Sequence, residues 1–193
     1  MIAARTRGPP RTEALLVVAT IRWVELRLAQ PSDNDAIRAI YNDAVTGSTA
    51  TFDLVPRTRE EQATWMEDHG GAYPAIVATP AADERGGGPP PALLGFGSLS
   101  PYRARPAYAT SVENSVYVAA GHRGAGVGRS ILDELVRLAR QHGFHTMIAR
   151  IGGDNDPSIR LHRGCGFELV GTEREIGRKF GRWLDVAVLQ LML

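Results

Sequence analysis

With 193 residues and 44% hydrophobic side chains, the chain holds enough apolar material for one well-buried domain and is short for two. Its 22 basic and 21 acidic side chains leave a formal charge of +1, which offers no global field to nucleic acid or an anionic membrane, so any anion must be met locally. One cysteine, Cys165, excludes an internal disulfide framework and fits a reducing, cytoplasmic setting, and the apolar run ALLVVA at 14–19 is too short to span a bilayer.

Residues 1–22 carry two prolines and scattered arginines and read as an extension outside the core, leaving 23–193 as a single domain. In PSDNDAIRAIYNDAVTG, Ser32 is placed to cap a helix with Asp35 three positions on, and Ile37, Ile40, Tyr41 and Ala44 recur at helical spacing. Thr58 with Glu61 repeats the capping-box spacing ahead of Trp65 and Met66, and Gly70 and Gly71 stop that second helix. AIVAT and LLGFGSLS read as strands. Between them PAADERGGGPPPA, residues 80–92, offers nothing to a core and is expected to be a flexible surface loop.

SVENSVYVAA alternates as a strand. After the glycine-rich HRGAGVG, Val127, Ile131, Leu135 and Leu138 fall on one helical face, with Gly143 at the C-terminal cap. HTMIARI is a further strand, Asp156 with Pro157 opens a short helix, and FELVGT and DVAVLQLML close the chain as strands. The order implies an α/β fold, a mixed central sheet with helices on both faces.

The row RGAGVG lies between a strand and a helix, where bare amides at the positive end of the helix dipole suit a phosphate; a tight turn without a ligand fits the spacing equally. A nucleotide-triphosphate loop needs a lysine and then serine or threonine after the last glycine, and Gly128 is followed by Arg129. A dinucleotide fold needs the turn after the first strand and an acidic residue further on, and neither condition is met.

RGAGVG resembles the pyrophosphate-binding signature of the GNAT acetyltransferase superfamily: arginine or glutamine, two residues, glycine, one residue, glycine or alanine. TATFD, SPYRARPAY, VENSVYV, NDPSIRLH and GRKFGRWLDV are similar to consecutive landmarks of its phosphinothricin and methionine sulfone or sulfoximine acetyltransferase subfamily, over about residues 25–193. The resemblance implies the GNAT fold, a sheet of six or seven strands with a splayed middle pair. Acetyl-CoA would lie in the splay, with its pyrophosphate on the amides of Arg123, Gly124, Ala125, Gly126, Val127 and Gly128 and its arm on the backbone of Val116, Tyr117 and Val118. Asn155 matches a position that bonds the arm, and it reads equally as a helix cap. Glu113 matches the glutamate proposed as general base, with ammonium anchor as the competing role, while His162 sits where the subfamily has a histidine beside the sulfur and is either a proton donor or a packing residue.

The resemblance also implies an N-acetyltransferase for a small amino-acid analogue, a homodimer, no metal, and no nucleic acid or membrane partner. Arg103 and Arg105 would bind the acceptor's anionic group, Phe52 and Tyr108 would wall the pocket, and the basic GRKFGRW segment is expected to close over the substrate as a loop. Phosphinothricin-detoxifying members carry histidine where this chain has Phe180. Other acceptor amines, and an acyl-CoA sensor without catalysis, are the competing readings.

Overall fold

A computed structural model of the chain describes residues 23–81 and 92–193; the expected extension at 1–22 and all of the expected loop but its first two residues and its last lie outside the described residues. Seven strands form one sheet: β1 (Val24–Leu28), β2 (Ala75–Pro80), β3 (Gly95–Pro101), β4 (Ser111–Val118), β5 (Thr146–Gly152), β6 (Glu168–Lys179) and β7 (Arg182–Met192). Their order is β1-β2-β3-β4-β5-β7-β6, antiparallel throughout except for the β4–β5 pair. Helices α1 (Asn34–Gly47) and α2 (Arg59–Glu67) cover one face around Ile37, Tyr41, Val45 and Phe96. Helices α3 (Val127–Gln141) and α4 (Asp156–Gly164) cover the other, where Ile131, Leu132 and Leu135 of α3 meet Leu99, Val112 and Met147 of the sheet. Each such aliphatic side chain, fully buried, contributes about 1.5–3 kcal/mol, so the single amphipathic face of α3 is the largest clamp on the sheet.

The expected element order is the observed one, with two local corrections. Ser32 does not cap α1. It lies within a short 3-10 turn, Pro31–Asp33, whose capping box is formed by Gln30 and Asp33, and the Asp33 carboxylate is drawn into a bidentate pair with Arg27 at 2.7 and 2.8 Å. An ion pair outbids a hydroxyl for the role, because its two charge-assisted bonds anchor the turn to β1. The Thr58–Glu61 capping box is present as expected, and Gly143 ends α3 in the left-handed conformation.

The second correction concerns GRKFGRW, which is hairpin and not a free loop: β6 runs on to Lys179 and β7 starts at Arg182, joined by Phe180 and Gly181 with φ of 50° and 75°. The β6 register shifts between Glu173 and Gly177, and such bulges blur the alternation by which a strand is recognised in sequence. Lys179 is buried, donating to the Thr51 carbonyl at 2.7 Å, so it ties the hairpin down.

Close approach of α3 to the sheet depends on Gly97 of β3, where an added Cβ would stand 2.5 Å from Ile131 Cγ2 and 2.9 Å from Leu135 Cδ1. Replacing Gly97 by alanine is expected to destabilise the fold by about 1–3 kcal/mol through overpacking. Gly47→Ala, whose Cβ meets nothing within 4 Å, is expected to stay within about 0.5 kcal/mol. Urea unfolding midpoints of the two variants check the contrast.

Candidate active site

The β4–β5 ladder is short. It pairs Ser111, Val112 and Glu113 with Thr146, Met147 and Ile148 and then stops, although β4 stays paired to β3 as far as Val118 and β5 to β7 as far as Gly152. Beyond the stop the two strands diverge around a cleft lined by Asn114, Ser115, Val116, Ile151, Gly152 and His162. Backbone groups facing such a gap require a partner, and an extended ligand carrying amides can supply one. Val116, Tyr117 and Val118 stand on this edge, where Arg123 Nε already donates to the Val118 carbonyl at 3.3 Å.

The glycine row follows β4 in the chain, and Gly128 stands against Val116 and Val118 of its open edge. Gly124 and Gly126 have φ of 77° and 87°, a conformation costly for residues with a Cβ, and Gly126 is the N-cap of α3. Val127 is buried in the core, so only its amide is offered, while Arg123, Gly124 and Ala125 are exposed. A Cβ on Gly128 would stand 3.3 Å from Leu161 and 3.4 Å from Val118. These residues fit a phosphate-bearing acyl carrier: free amides at the positive end of a 15-residue helix, next to an open strand edge. Asn155 serves as the N-cap of α4, accepting from the Ser158 amide at 3.3 Å, and also lines the cleft.

Side chains alternate along β4, so Val112 and Asn114 face α3 and α4 while Glu113, Ser115 and Tyr117 face α1 and α2. On the first face, Asn114 is buried at the apex of the divergence and donates from Nδ2 at 3.2 Å to the carbonyl of Ile148, the β5 residue of the last rung. Its Oδ1 lies 3.0 Å from His162 Nε2, and His162 Nδ1 lies 2.8 Å from the Ser158 carbonyl. That carbonyl only accepts, so Nδ1 carries the proton. Satisfying every contact in the chain Ser158–His162–Asn114–Ile148 takes a second ring proton, and the bond to Ser158 does raise the pKa. Burial opposes it more strongly, and the net effect is to push the imidazole below its ordinary pKa.

On the second face, burial pushes the Glu113 carboxyl above its ordinary value, partly offset by the guanidinium groups of Arg150 and Arg103 and reinforced by Glu173. Arg150 and Glu173 are themselves paired at 2.5 Å. Arg103 lies on the loop between β3 and β4, exposed, its guanidinium 5.1 Å from the Tyr102 ring, and Arg105 caps the short turn Pro106–Tyr108. Tyr108 is exposed and packs edge-on against Tyr102 at 5.5 Å. Phe52 fills a slot against Gly152 and Gly177, where a Cβ on either glycine would overlap its ring. Cys165 packs half-buried against the core, its thiol pushed up to about 12 by burial, which makes it an inert packing residue. Among the described residues no group of three His, Cys, Asp or Glu side chains is placed to hold a metal.

Asn114, Ser158, Arg150 and Glu173 were not singled out by the sequence. The visible signal for Asn114 was phase: in SVENSVYV it occupies the inward register of the strand, where a polar residue needs a partner. Arg150 and Glu173 are 23 positions apart and meet only through the sheet order.

The model of the acetyltransferase (GNAT) domain matches residues 26–188. A phosphinothricin N-acetyltransferase of Streptomyces coelicolor is 42% identical over 166 residues, covering 85% of this chain and 93% of that protein. An L-methionine sulfoximine/L-methionine sulfone acetyltransferase of Pseudomonas aeruginosa is 39% identical over 169 residues, covering 87% and 94%. Among solved structures, a GNAT superfamily phosphinothricin acetyltransferase from Sinorhizobium meliloti in complex with AcCoA superposes with a TM-score of 0.80 at 40% identity, covering 88% of each chain.

His162 is expected to titrate below the ordinary histidine midpoint of about 6.5. The folded value lies below the unfolded one, so the unfolded chain takes up the proton first and this group's contribution to stability is lost as pH falls below about 6.5. Long-range proton–nitrogen spectra of the ring between pH 5 and 7.5 read the titration directly, and a midpoint at or above the ordinary value contradicts the assignment.

Proposed function

This chain belongs to the GNAT acetyltransferases and is an acetyl-CoA-dependent enzyme, and from that premise we propose that it acetylates the α-amine of a small amino-acid analogue such as methionine sulfone, methionine sulfoximine or phosphinothricin. The observation that carries the proposal is the position of Glu113 at the last rung of the β4–β5 ladder, half-buried beside the opening, on the face away from the glycine row and α4. Bound acetyl-CoA supplies an activated acetyl group as a thioester. The residues of this chain then have three tasks: to hold the carrier, to take a proton from the acceptor ammonium, and to orient the acceptor.

The amides of Arg123 to Gly128 take the pyrophosphate, and the open backbone of Val116, Tyr117 and Val118 takes the arm, with Asn155 beside it. An acceptor amine is mostly protonated at neutral pH and must lose a proton before it attacks. Glu113 accepts that proton. Burial, by raising its pKa, makes it a better base than a solvated glutamate, and the guanidinium groups of Arg150 and Arg103 offset part of that rise. His162 lines the cleft with its Nδ1–H given to the Ser158 carbonyl; in the imidazolium form its second ring proton, on Nε2, is the one it passes to the departing sulfur. Arg103 and Arg105 bind the α-carboxylate, since Arg103 is close enough to Glu113 to influence its titration and the carboxylate sits one carbon from the amine. Tyr108 and Phe52 bound this end. The homodimer is supported by exposed Leu169, Val170, Ile176 and Trp183 on β6 and its hairpin partner at the edge of the sheet.

Among the described residues no helix is long and apolar enough to cross a membrane. The single half-buried Cys165 suits a reducing, cytoplasmic interior, and acetylation of such analogues there is a detoxifying role. Thiol release from acetyl-CoA with purified protein and a panel of these amines tests the acceptor class; no release above background on any of them ends it. Glu113→Gln is expected to lose about 10²–10⁴-fold in kcat with acetyl-CoA affinity retained, and the wild-type rate is expected to fall as pH drops through the raised carboxyl pKa. Retention of full activity by the variant removes the base assignment.

A further inference from the structure

Resting on that acceptor reading, we infer that Arg57, with the hydroxyls of Ser98, Ser100 and Ser115, forms a second oxyanion subsite that selects acceptors by an oxygen-bearing group at the end of their side chain. Beneath α1 and α2 lies a cavity of about 170 Å³ lined by Tyr41, Arg57, Trp65, Phe96 and Tyr117 together with those three serines. Ser115 and Tyr117 also line the β4–β5 cleft, so the two spaces adjoin through the sheet. Ser100 is the cross-strand neighbour of Glu113, which places the cavity beside the base and on its face.

Arg57 carries the only formal charge in this lining. Its guanidinium lies 3.7 Å from the centre of the Tyr41 ring and 5.3 Å from that of Trp65, so aromatic faces hold it without consuming its N–H donors. Among the described residues no carboxylate lies within salt-bridge distance of it, and its single side-chain hydrogen bond is a long one, to Gln62 Oε1 at 3.4 Å. Arg57 also lines an outer groove with Asp53, Glu61 and Asp68, of which Asp53 accepts from Tyr41 at 2.6 Å and Glu61 from the Thr58 amide at 2.8 Å. A partly buried guanidinium with uncommitted donors, facing three hydroxyls across a small cavity, is a receptor for two or three oxygens.

The near edge of the cavity is within reach of the acceptor's side chain: Ser100 pairs with Glu113 across the strands, and Ser115, two residues along β4 on the same face, stands roughly 7 Å away at about 3.3 Å per residue, while the sulfone sulfur of methionine sulfone is four bonds from the amine. The α-carboxylate stays beside the amine, at Arg103 and Arg105; a phosphinate, sulfone or sulfoximine several bonds away reaches toward Arg57. Such a subsite discriminates against an apolar side chain because the guanidinium and the hydroxyls of Ser98 and Ser115 would be left without partners on burial, Ser100 Oγ already lying 3.4 Å from His69 Nε2.

Steady-state kinetics of Arg57→Met on methionine sulfone and on methionine, which differ only in the two sulfone oxygens, tests the subsite. The ratio of kcat/KM for sulfone over methionine is expected to fall about tenfold, through KM, with acetyl-CoA affinity unchanged. A purely structural role lowers both substrates alike and leaves the ratio where it was, which overturns the inference. Ser98→Ala, a smaller change on the cavity floor, is expected to move the same ratio in the same direction and serves if Arg57→Met fails to fold; an unchanged ratio there overturns the inference equally. Absence of wild-type turnover on both substrates overturns the acceptor reading and the subsite with it, whereas wild-type turnover with an unmoved ratio removes the subsite alone.

Discussion

Everything in this site depends on where the parallel ladder between β4 and β5 ends. A parallel pair buried between two helical layers would ordinarily continue, because each lost rung strands an N–H or a carbonyl away from water. Here the carbonyl of Ile148, the β5 residue of the last rung, is taken by the Asn114 side chain, so the divergence begins without an orphaned acceptor. The strands are held apart further on by their other neighbours, β3 for β4 and β7 for β5, which keep full register. The opening is therefore a property of the whole sheet, and the catalytic groups are placed by it.

Divergence turns a sheet into a passage with two chemically different sides. Toward α3 and α4 lie the glycine row, Asn155 and His162, and toward α1 and α2 lie Glu113, Ser115 and Arg57. The period of two along β4 sends Glu113 and Asn114 to opposite faces although they are adjacent in sequence. Burial acts in opposite directions on the two titratable groups of these faces: it raises the Glu113 carboxyl and lowers the His162 imidazole. The same desolvation thus favours the neutral form of each, without any direct contact between them.

Local rules carried the element order a long way. The face of α3, the Thr58–Glu61 box and the C-terminal Gly143 are all short-range patterns, and all three are in the structure. Ser32 failed as a cap because the competitor, Asp33, is fixed by Arg27 from a neighbouring strand, a tertiary pair that no window around the helix contains. GRKFGRW hid its strands behind a bulge and its own charge, and only the carbonyl of Thr51, 128 residues away, explains why Lys179 turns inward. The glycine row was legible because left-handed backbone leaves a mark in composition, whereas Arg57 was not, since a cation in PRTRE looks the same whether it faces water or Tyr41.

The two halves of the site differ in how they bear substitution. In the proposed site, carrier binding rests on backbone held by glycines at positive φ and by a packed Val127, so almost any change there acts through strain or lost packing. Proposed acceptor binding rests instead on side chains, Arg103 and Arg105 on an exposed loop and Arg57 on the segment between α1 and α2, none of them on a strand. Charge or length can change at those positions at small cost to folding, because an exposed or aromatic-stacked cation contributes little to stability compared with a core residue. Acceptor choice can therefore shift by single substitutions while the carrier site stays as it is, and the charge at Arg57, more than the glycine row, is where differences in acceptor between such proteins are expected to be written.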